Sequence, residues 1–526
     1  MKTRNFFKTL LLLVVLVVVG GLSQQAKAQS IVYEPYDFRE VNADGDTLYY
    51  RITSDSEPYT VAVTRCHDST YHKLPFPQLE HEVGQPGFAY PVYDYDSLIN
   101  IPPTVTHDDV TYTVTAIDIE AFYYQKGMNV VNLPSTIETI DSGAFYLSSL
   151  AEINLQEGVQ RINYGAFVNT AIREINLPQS LSHIGSYAFG NTAISRVDLP
   201  SGIDTLRYQT YAGCPIEHIT FPEGLVVIEY HAFPGVNIDS LIFPSTLQYL
   251  GGNFADENEP EQYTSRCKYV EFRRGSDPLV LGYRCFRGCR NLETLIFSDN
   301  IISFGEECFS FSGVDTVVVP QNVRMIPNYC FYRCDSLRSV TLPENIDTIG
   351  ALGFSDCSLL KSIVLPAGLK YIERRAFSPL NDSTGLEEIR VLSEVPPVLR
   401  SSNVFSQTRP ITCTIPCGTL AAYQSYWGRA YRNFTFVEDC EAVEEHDGHE
   451  IRVYPNPTSD FLCIEGDFDI GSQLFIYDMT GRIVETAELT SNNASLNISH
   501  LPDGYYIVKV GDGNGRSYGV KICKQR

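Results

Sequence analysis

Apolar side chains recur with a period of about 22 residues between Ala116 and Val391. One clear copy of the pattern runs from Ile172 to Phe189. Within it, Ile175 and Leu177 flank the polar Asn176, and this alternation predicts a short strand with two inward side chains. A proline follows at once and ends the pairing, because proline cannot donate to a strand ladder. Each copy is therefore expected to contain a short strand, a corner and an inward aromatic residue.

The aromatic residue of each copy marks the period along the chain. The spacings are 22 or 23 residues, except for 21 before Phe254 and 32 after it. The aromatic positions are Phe122, Phe145, Phe167, Phe189, Tyr211, Phe233, Phe254, Phe286, Phe309, Phe331, Phe354 and Phe377. A fixed period in this range is typical of leucine-rich solenoids. The predicted fold is mainly β, a leucine-rich-repeat solenoid of about twelve turns with a parallel strand sheet.

A single turn cannot fold alone, because its few buried side chains do not offset the entropy lost on ordering its backbone. The array therefore needs a cap at each end. We divide the chain into 1–28 signal peptide, 29–115 N-terminal β-rich cap, 116–395 solenoid, 396–440 C-terminal cap, 441–450 acidic linker and 451–526 terminal domain. Alternating segments and turns in the terminal domain predict a small β-sandwich.

The first residues read as an export signal. Basic residues precede the apolar run 10–19, and an A-x-A site places cleavage between Ala28 and Gln29. The mature chain is thus expected to work outside the cytoplasm.

The charge of the chain is strongly acidic. The sequence has 39 basic and 63 acidic residues, and without the predicted signal peptide the balance is 35 against 63, a net charge of −28. This field repels phosphate backbones, so nucleic acid is excluded as a partner. The same charge also keeps a long exposed surface soluble.

Most of the fourteen cysteines fall at fixed phases of the repeat. Such positions predict buried thiols that act as small apolar groups. They are Cys214, Cys285, Cys289, Cys308, Cys330, Cys334 and Cys357. Outside the repeats, the candidates for a disulfide are Cys413, Cys417 and Cys440, and Cys463 with Cys523 is a second candidate pair.

No catalytic motif is present: there is no G-x-S-x-G elbow, H-E-x-x-H helix or phosphate loop. The histidines fall at different phases of the repeat, and the paired cysteines lack further ligands for zinc. Asn42, Asp44 and Asp46 could be read as calcium ligands, but a hairpin turn fits them better. We predict a protein that is not an enzyme and needs no cofactor or metal.

The outward residue of each predicted strand changes character along the solenoid. In the first half it is polar, with Asn132, Asn154 and Asn176 predicted to form a local hydrogen-bond ladder. In the second half aliphatic residues should meet solvent, and an exposed apolar stripe can mark a binding face. The candidate face consists of Ile242, Ile296, Val318, Thr341 and Val364. The alternative is the ordinary preference of β-branched residues for strands.

The recurring pattern L-x-x-I-x-L-P followed by I-G-x-x-A-F resembles the BspA-like leucine-rich repeats of bacterial surface proteins. The resemblance covers about half of the chain and implies an extracellular role in adhesion or in binding host ligands. Partners vary widely within this family, so no particular ligand carries over.

Three phrases near the end resemble the type A sorting domain of the type IX secretion system of certain Gram-negative bacteria. They begin at Tyr454, Ile476 and Leu501. The resemblance implies passage through the outer membrane by that machinery, commonly followed by removal of the domain and attachment to surface lipopolysaccharide. Asp-Ser/Thr-apolar phrases, for example at Ser97 and Thr205, resemble O-glycosylation acceptors of such bacteria.

The function expected from these features is a secreted protein on the outer-membrane surface that binds a host or neighbouring-cell protein or glycan. The alternative is a structural surface or biofilm component with no specific soluble ligand. A monomer is expected.

Overall fold

The structure is a computed structural model. It describes residues 36–65, 97–235, 238–252, 266–379, 385–440, 452–454, 458, 460–466, 471–478, 482–491, 493–511 and 517–524. The chain divides into two compact units, Met1–Asp439 and Cys440–Arg526. The predicted signal peptide with its Ala28/Gln29 cleavage site, the linker 441–450, the aromatic Phe254 and part of the first two sorting-domain phrases lie outside the described residues.

The first unit opens with a β-rich cap. Its strands are β1 (Phe38–Val41), β2 (Thr47–Ser54), β3 (Thr60–Thr64), β4 (Leu98–Asn100), β5 (Thr104–His107) and β6 (Val110–Ile117). β1 and β2 form an antiparallel hairpin. The Asn42 side chain closes its turn by accepting the backbone N–H groups of Asp44 and Asp46 at 3.0 and 2.8 Å. The hairpin turn predicted at Asn42–Asp46 is therefore present in the structure.

Each solenoid turn contributes up to two strands. The first set, which we call the long strands, comprises β7 (Val130–Asn132), β9 (Glu152–Asn154), β12 (Arg196–Asp198), β14 (His218–Thr220), β16 (Ser240–Phe243), β18 (Tyr269–Phe272), β20 (Thr294–Ile296), β22 (Thr316–Val318), β24 (Ser339–Thr341), β26 (Ser362–Leu365) and β28 (Glu388–Val391). Among the described residues these strands pair in parallel within separate groups: β7 with β9, β12 with β14, β16 with β18 and β18 with β20, β22 with β24, and β26 with β28.

The second set, the short strands, lies after the corner of each turn. It comprises β8 (Thr139–Ile140), β10 (Arg161–Ile162), β11 (His183–Ile184), β13 (Thr205–Leu206), β15 (Val227–Ile228), β17 (Tyr249–Leu250), β19 (Leu279–Leu281), β21 (Ile301–Ser303), β23 (Met325–Ile326), β25 (Thr348–Ile349), β27 (Tyr371–Ile372) and β29 (Val398–Leu399). These strands also pair in parallel, in three groups: β8 to β11, β13 to β21, and β23 to β29.

The aromatic residues of successive turns stack inside the solenoid. The rings of Phe145 and Phe167 lie 5.3 Å apart with an interplanar angle of 4°, and those of Phe309 and Phe331 lie 5.3 Å apart at 6°. The stack continues past the last predicted position, because Phe405 packs on Phe377 at 5.4 Å. The solenoid therefore has about thirteen turns, one more than the repeat pattern predicts.

One predicted strand does not form. Residues 171–178 have no strand hydrogen bonding, although Ile175 is buried and Asn176 exposed as the pattern requires. The prediction of a strand at Ile175 and Leu177 is wrong. The inward packing of the side chains is nevertheless kept, since it depends on side-chain direction rather than on a continuous ladder.

Repeat glycines allow neighbouring turns to approach each other. A Cβ at Gly185 would lie 2.6 Å from the backbone carbonyl carbon of Asn163 in the preceding turn, and one at Gly305 would lie 2.4 Å from backbone atoms of Gly282. The φ of Gly185 lies outside the left-handed region, so close contact between turns explains the glycine.

The C-terminal end of the solenoid is closed by a helix and two strands. These are β30 (Ile411–Pro416), α1 (Leu420–Ala430) and β31 (Phe434–Asp439). Trp427 of α1 is buried against Phe405 at a ring distance of 5.6 Å. Its Nε1–H donates to the Pro397 carbonyl at 3.0 Å. The last core layer is thus covered, as a solenoid requires.

The second unit is a pair of antiparallel sheets. One consists of β32 (Arg452–Tyr454), β33 (Phe461–Glu465) and β36 (Asn493–Asn497). The other consists of β34 (Gln473–Asp478), β35 (Ile483–Glu488), β37 (Gly504–Gly511) and β38 (Ser517–Lys524). Buried aliphatic residues from both sheets, such as Leu462, Ile476 and Val508, form a separate core.

Candidate binding face

The long strands present one continuous outward face. In each strand the middle residue points into the core while the first and third point outward, since side chains alternate along a strand. β22 shows this pattern, with Val317 buried between the exposed Thr316 and Val318. Parallel pairing without register shift then lines up equivalent residues of successive turns, as with Ile242, Glu271 and Ile296.

In the first half of the solenoid this face is polar and hydrogen-bonded. Asn132 donates its amide to Asn100 Oδ1 at 2.7 Å, and Asn100 donates to Asp44 of the cap at 2.7 Å. The Asn132 position thus belongs to a local hydrogen-bond ladder that ties the first turns to the cap. The predicted ladder joined Asn132 to Asn154 and Asn176, whereas the amide that accepts from Asn132 in the structure is Asn100 of the cap strand β4.

An ionic cluster follows on the same face. Thr220 donates to Asp198 at 2.7 Å, and Arg196 donates to the same carboxylate at 3.0 Å. The hydroxyl of Thr220, together with the Arg196 guanidinium and nearby His218, lowers the pKa of Asp198. This carboxylate therefore stays ionised well into the acidic range and keeps the surface negative.

The second half of the face is aliphatic. Ile242, Ile296, Val318 and Val364 are 41%, 44%, 50% and 46% exposed, and Thr341 is exposed among them. The first residues of the same strands are mostly small hydroxyl residues. They are Ser240, Thr294, Thr316, Ser339 and Ser362. The candidate residues thus form a flat stripe of methyl groups, which we call the long-strand stripe.

Charged residues lie within the stripe and at its C-terminal end. Within it, the Glu271 carboxylate accepts the Tyr269 hydroxyl at 2.5 Å. At its C-terminal end, Arg390 donates to Asp439 of β31 at 2.5 Å. Beyond that ion pair the face ends in Val437, which is 46% exposed and was not predicted. Val437 pairs with Thr414 of β30, and this pairing could not be derived from the repeat pattern before the cap strands were known.

Of the three cysteines predicted as disulfide candidates, two are bonded in the structure and one is not. Cys417 and Cys440 are disulfide-bonded, and they directly follow Pro416 and Asp439, which pair in β30 and β31. Cys413 is instead a fully buried thiol, since it alternates with Ile411 and Ile415 on the inner face of β30. Burial raises the pKa of the Cys413 thiol to about 12. Its inclusion among the candidates is wrong.

The second candidate pair is also wrong. Cys463 lies on β33 and Cys523 on β38, which belong to different sheets, and both are thiols. The seven cysteines at repeat positions are buried thiols, as predicted from their phase. Burial raises the pKa of Cys330 and Cys357 well above the ordinary value, so these thiols stay protonated.

Within the described ranges, no group of three or more His, Cys, Asp or Glu side chains could hold a metal ion. In the part of the chain that the structure describes, no helix is long and apolar enough to cross a membrane.

Comparison with known families accounts for most of the first unit. The model of the BspA type leucine rich repeat region matches residues 104–217, 205–263 and 260–383, in six copies. Together these ranges span just over half of the chain. The chain belongs to the BspA-type leucine-rich repeat family. The sequence prediction of this family is confirmed, and no catalytic family is indicated for this BspA-type protein.

A second family match covers the terminal unit. Residues 452–525 match the secretion system C-terminal sorting domain. The protein is therefore a secreted leucine-rich repeat protein that carries a sorting tail, as its terminal motifs predicted.

Solved structures of bacterial repeat proteins are similar to this chain. A leucine-rich repeat protein from Bacteroides ovatus is 20% identical, with a TM-score of 0.40, and the match covers 77% of this chain and 100% of the other. The pneumococcal vaccine antigen PcpA is 19% identical, with a TM-score of 0.40, and the match covers 77% and 98%. Among curated proteins no relative matches. At these scores the similarities carry nothing about function.

Proposed function

We propose that this BspA-type protein is an adhesin or ligand-binding module held at the outer-membrane surface after type IX export. The long-strand stripe is its binding face for a host or neighbouring-cell macromolecule. The observation that supports this is the run of aliphatic residues, 41–50% exposed, on the outer side of a sheet. Solvent exposure of aligned methyl groups is unfavourable, and burial under a partner removes that cost.

The sheet itself does not require these aliphatic residues. In the first half of the same solenoid, Asn132, Asn154 and Asp198 occupy equivalent positions in strands that also pair in parallel, β7 with β9 and β12 with β14. A preference of strands for β-branched residues would act in both halves. The restriction of the aliphatic residues to one half favours a functional origin.

The test is a binding screen of the mature chain from Gln29. The surfaces are immobilised fibronectin, laminin and type I collagen, with heparan sulfate and mucin glycans as further probes. We expect binding to at least one of them. The double substitution Ile296→Asp with Val318→Asp should weaken this binding at least tenfold, because two desolvated carboxylates would face the partner.

The matched control is Asn154→Asp with Asn176→Asp, which adds the same charge to exposed positions in the polar half of the same face. It should bind as wild type does, and both variants should unfold at the wild-type temperature. Wild-type affinity in the Ile296/Val318 variant would contradict the proposed face. Absence of binding to every probe would favour the alternative, a structural component of the cell surface.

A further inference from the structure

Three arginines from neighbouring turns converge on the ring of Phe311. Their guanidinium carbons lie 5.3 Å (Arg287), 6.0 Å (Arg290) and 5.3 Å (Arg333) from the ring centroid. The Phe311 backbone N–H donates to the Tyr332 carbonyl of the next turn at 2.8 Å, and its ring is half-buried. An aromatic ring attracts a cation placed over its face, so Phe311 holds the three guanidiniums together at the surface. We call Phe311, Arg287, Arg290 and Arg333 the arginine cluster.

The backbone at Phe311 is strained. Its φ is 60°, in the left-handed region that a bulky side chain adopts only at a cost. In the five preceding turns that the structure describes, glycine or asparagine takes this position, and both tolerate that conformation. These residues are Asn169, Asn191, Gly213, Gly235 and Gly288. The turn itself therefore does not require phenylalanine, and a role for the ring at the surface explains why the strain is kept.

Glu307 balances only part of the charge of the arginines. Its carboxylate accepts the Arg287 Nε–H at 3.0 Å and an Arg284 Nη2–H at 2.9 Å. The Tyr283 hydroxyl donates to the same carboxylate at 3.1 Å. One carboxylate is thus shared by two guanidiniums, and it also fixes Arg287 beside the ring of Phe311.

The Arg290 guanidinium is the least compensated of the three. Its side chain is exposed, and among the described residues it forms no hydrogen bond or ion pair. Asp335 and Asp356 are the other carboxylates close to the cluster, while Arg375 adds a positive charge at its edge. The groups named so far comprise five guanidiniums and three carboxylates, so positive charge remains here in a chain whose net charge is −24.

Two tyrosines extend the aromatic surface beside the cluster. The ring of Tyr332 lies 5.5 Å from that of Phe311 at an angle of 88°, and Tyr329 lies 5.6 Å from Tyr332 at 88°. Tyr329 is 37% exposed. Each tyrosine offers an apolar ring and a hydroxyl group at its tip. The cluster therefore combines fixed cations with aromatic rings that solvent can reach.

This combination fits a small anion attached to a sugar. A guanidinium donates two parallel N–H bonds to a planar oxyanion, and one already held on a ring loses less freedom when it binds. Sugar rings have apolar C–H faces and hydroxyl groups, which pack on aromatic rings and bond to their hydroxyls. A long polyanion fits less well, because the negative field of the whole chain repels it.

We infer that the arginine cluster binds a saccharide that carries a single carboxylate or sulfate group. The oxyanion accepts from Arg290, and the sugar ring packs against Tyr329. The cluster shares no residue with the long-strand stripe, so this is a second binding site beyond the proposed function. The two proposals can fail independently.

The test is isothermal titration calorimetry of the mature chain with 3′-sialyllactose, which carries a carboxylate, with lactose 6′-sulfate and with neutral lactose. We expect binding of at least one charged saccharide and none of lactose. Arg290→Gln should weaken it by about tenfold or more, because a charged hydrogen bond is lost. Phe311→Leu should weaken it by about threefold, because the guanidiniums lose their shared ring. Arg324→Gln is the matched control, since it removes the same charge from an exposed arginine outside the cluster, and it should bind as wild type does.

The inference is overturned if neither charged saccharide binds, or if Arg290→Gln binds them as wild type does. Equal binding of lactose would show that the charge is not recognised, and equal binding of sodium sulfate would show that the sugar is not. Tighter binding of heparan sulfate that depends on Arg290 would also contradict a singly charged ligand. The Ile296/Val318 variant should bind the saccharides as wild type does. A loss in that variant alone would assign the saccharide to the long-strand stripe, which overturns this inference and leaves the proposed function intact.

Discussion

From β7 to β14 the third residues of the long strands are amides, a carboxylate and a hydroxyl, whereas from β16 to β26 four of six are aliphatic. The interior does not change in this way. Phe145 and Phe167 stack at 5.3 Å in the first half, and Phe331 and Phe354 stack at 5.3 Å in the second. The two halves share one core and differ in what they show to solvent. A repeat thus separates folding from recognition, because its inward and outward positions vary independently.

The largest expected effect tests the shared core. Phe167→Ala in the first half and Phe309→Ala in the second should each lower the free energy of unfolding by about 3–5 kcal/mol, since both rings are fully buried. Denaturant unfolding followed by circular dichroism measures this. Losses that differ by several kcal/mol would show that the halves do not share an equivalent interior.

A second prediction sharpens the contrast of the exteriors. Replacing Ile296 and Val318 by threonine should change the free energy of unfolding by less than about 0.5 kcal/mol each, because threonine is also β-branched and these side chains face solvent. The same denaturant experiment gives the result. A loss of several kcal/mol would mean that the aliphatic residues serve stability rather than recognition.

The third prediction concerns an exception within the stack. Tyr211 takes the place of phenylalanine, and its buried hydroxyl has no hydrogen-bond partner among the described residues. Because a buried hydroxyl without a partner is costly, Tyr211→Phe should raise the free energy of unfolding by about 1 kcal/mol. Calorimetric melting of the variant and the wild type tests this. A lower melting temperature for the variant would indicate a role for the hydroxyl.

The smallest effect comes from the corners of the turns, which also differ between the halves. In the first half, the Glu157 carboxylate accepts the backbone N–H groups of Gln179 and Ser180 at 3.0 and 3.1 Å. In the second half, the Asn322 amide donates to the Asp299 carbonyl at 2.8 Å. The carboxylate corner can lose its contact on protonation, whereas the amide corner cannot.

The backbone N–H groups of Gln179 and Ser180 lower the pKa of Glu157. A lowered folded-state pKa gives stability that is present above the unfolded value of about 4.3 and is lost as the pH falls through the folded value. Glu157→Gln should therefore lose less thermal stability than wild type between pH 6 and pH 3. Glu174→Gln, an exposed carboxylate on the neighbouring turn, is the control and should follow the wild-type profile.

Periodic features were predictable from the sequence, and features without a period were not. The stacked rings and the buried thiols at Cys285, Cys308 and Cys330 follow from their constant phase. Phe405 escaped prediction because it lies 28 residues after Phe377, outside the regular spacing. The error at Cys413 arose because the β30 register, which turns that side chain inward, depends on pairing with neighbouring strands.

Hydroxyl-radical footprinting of the mature chain, alone and bound to a matrix protein that retains it, tests the contrast between the halves most directly. Oxidation of a side chain reports its exposure. We predict that the partner lowers oxidation of Ile296 and Val318 and leaves Tyr208, 38% exposed in the first half, unchanged. Protection of Tyr208 with unaltered oxidation of Ile296 and Val318 would contradict the account.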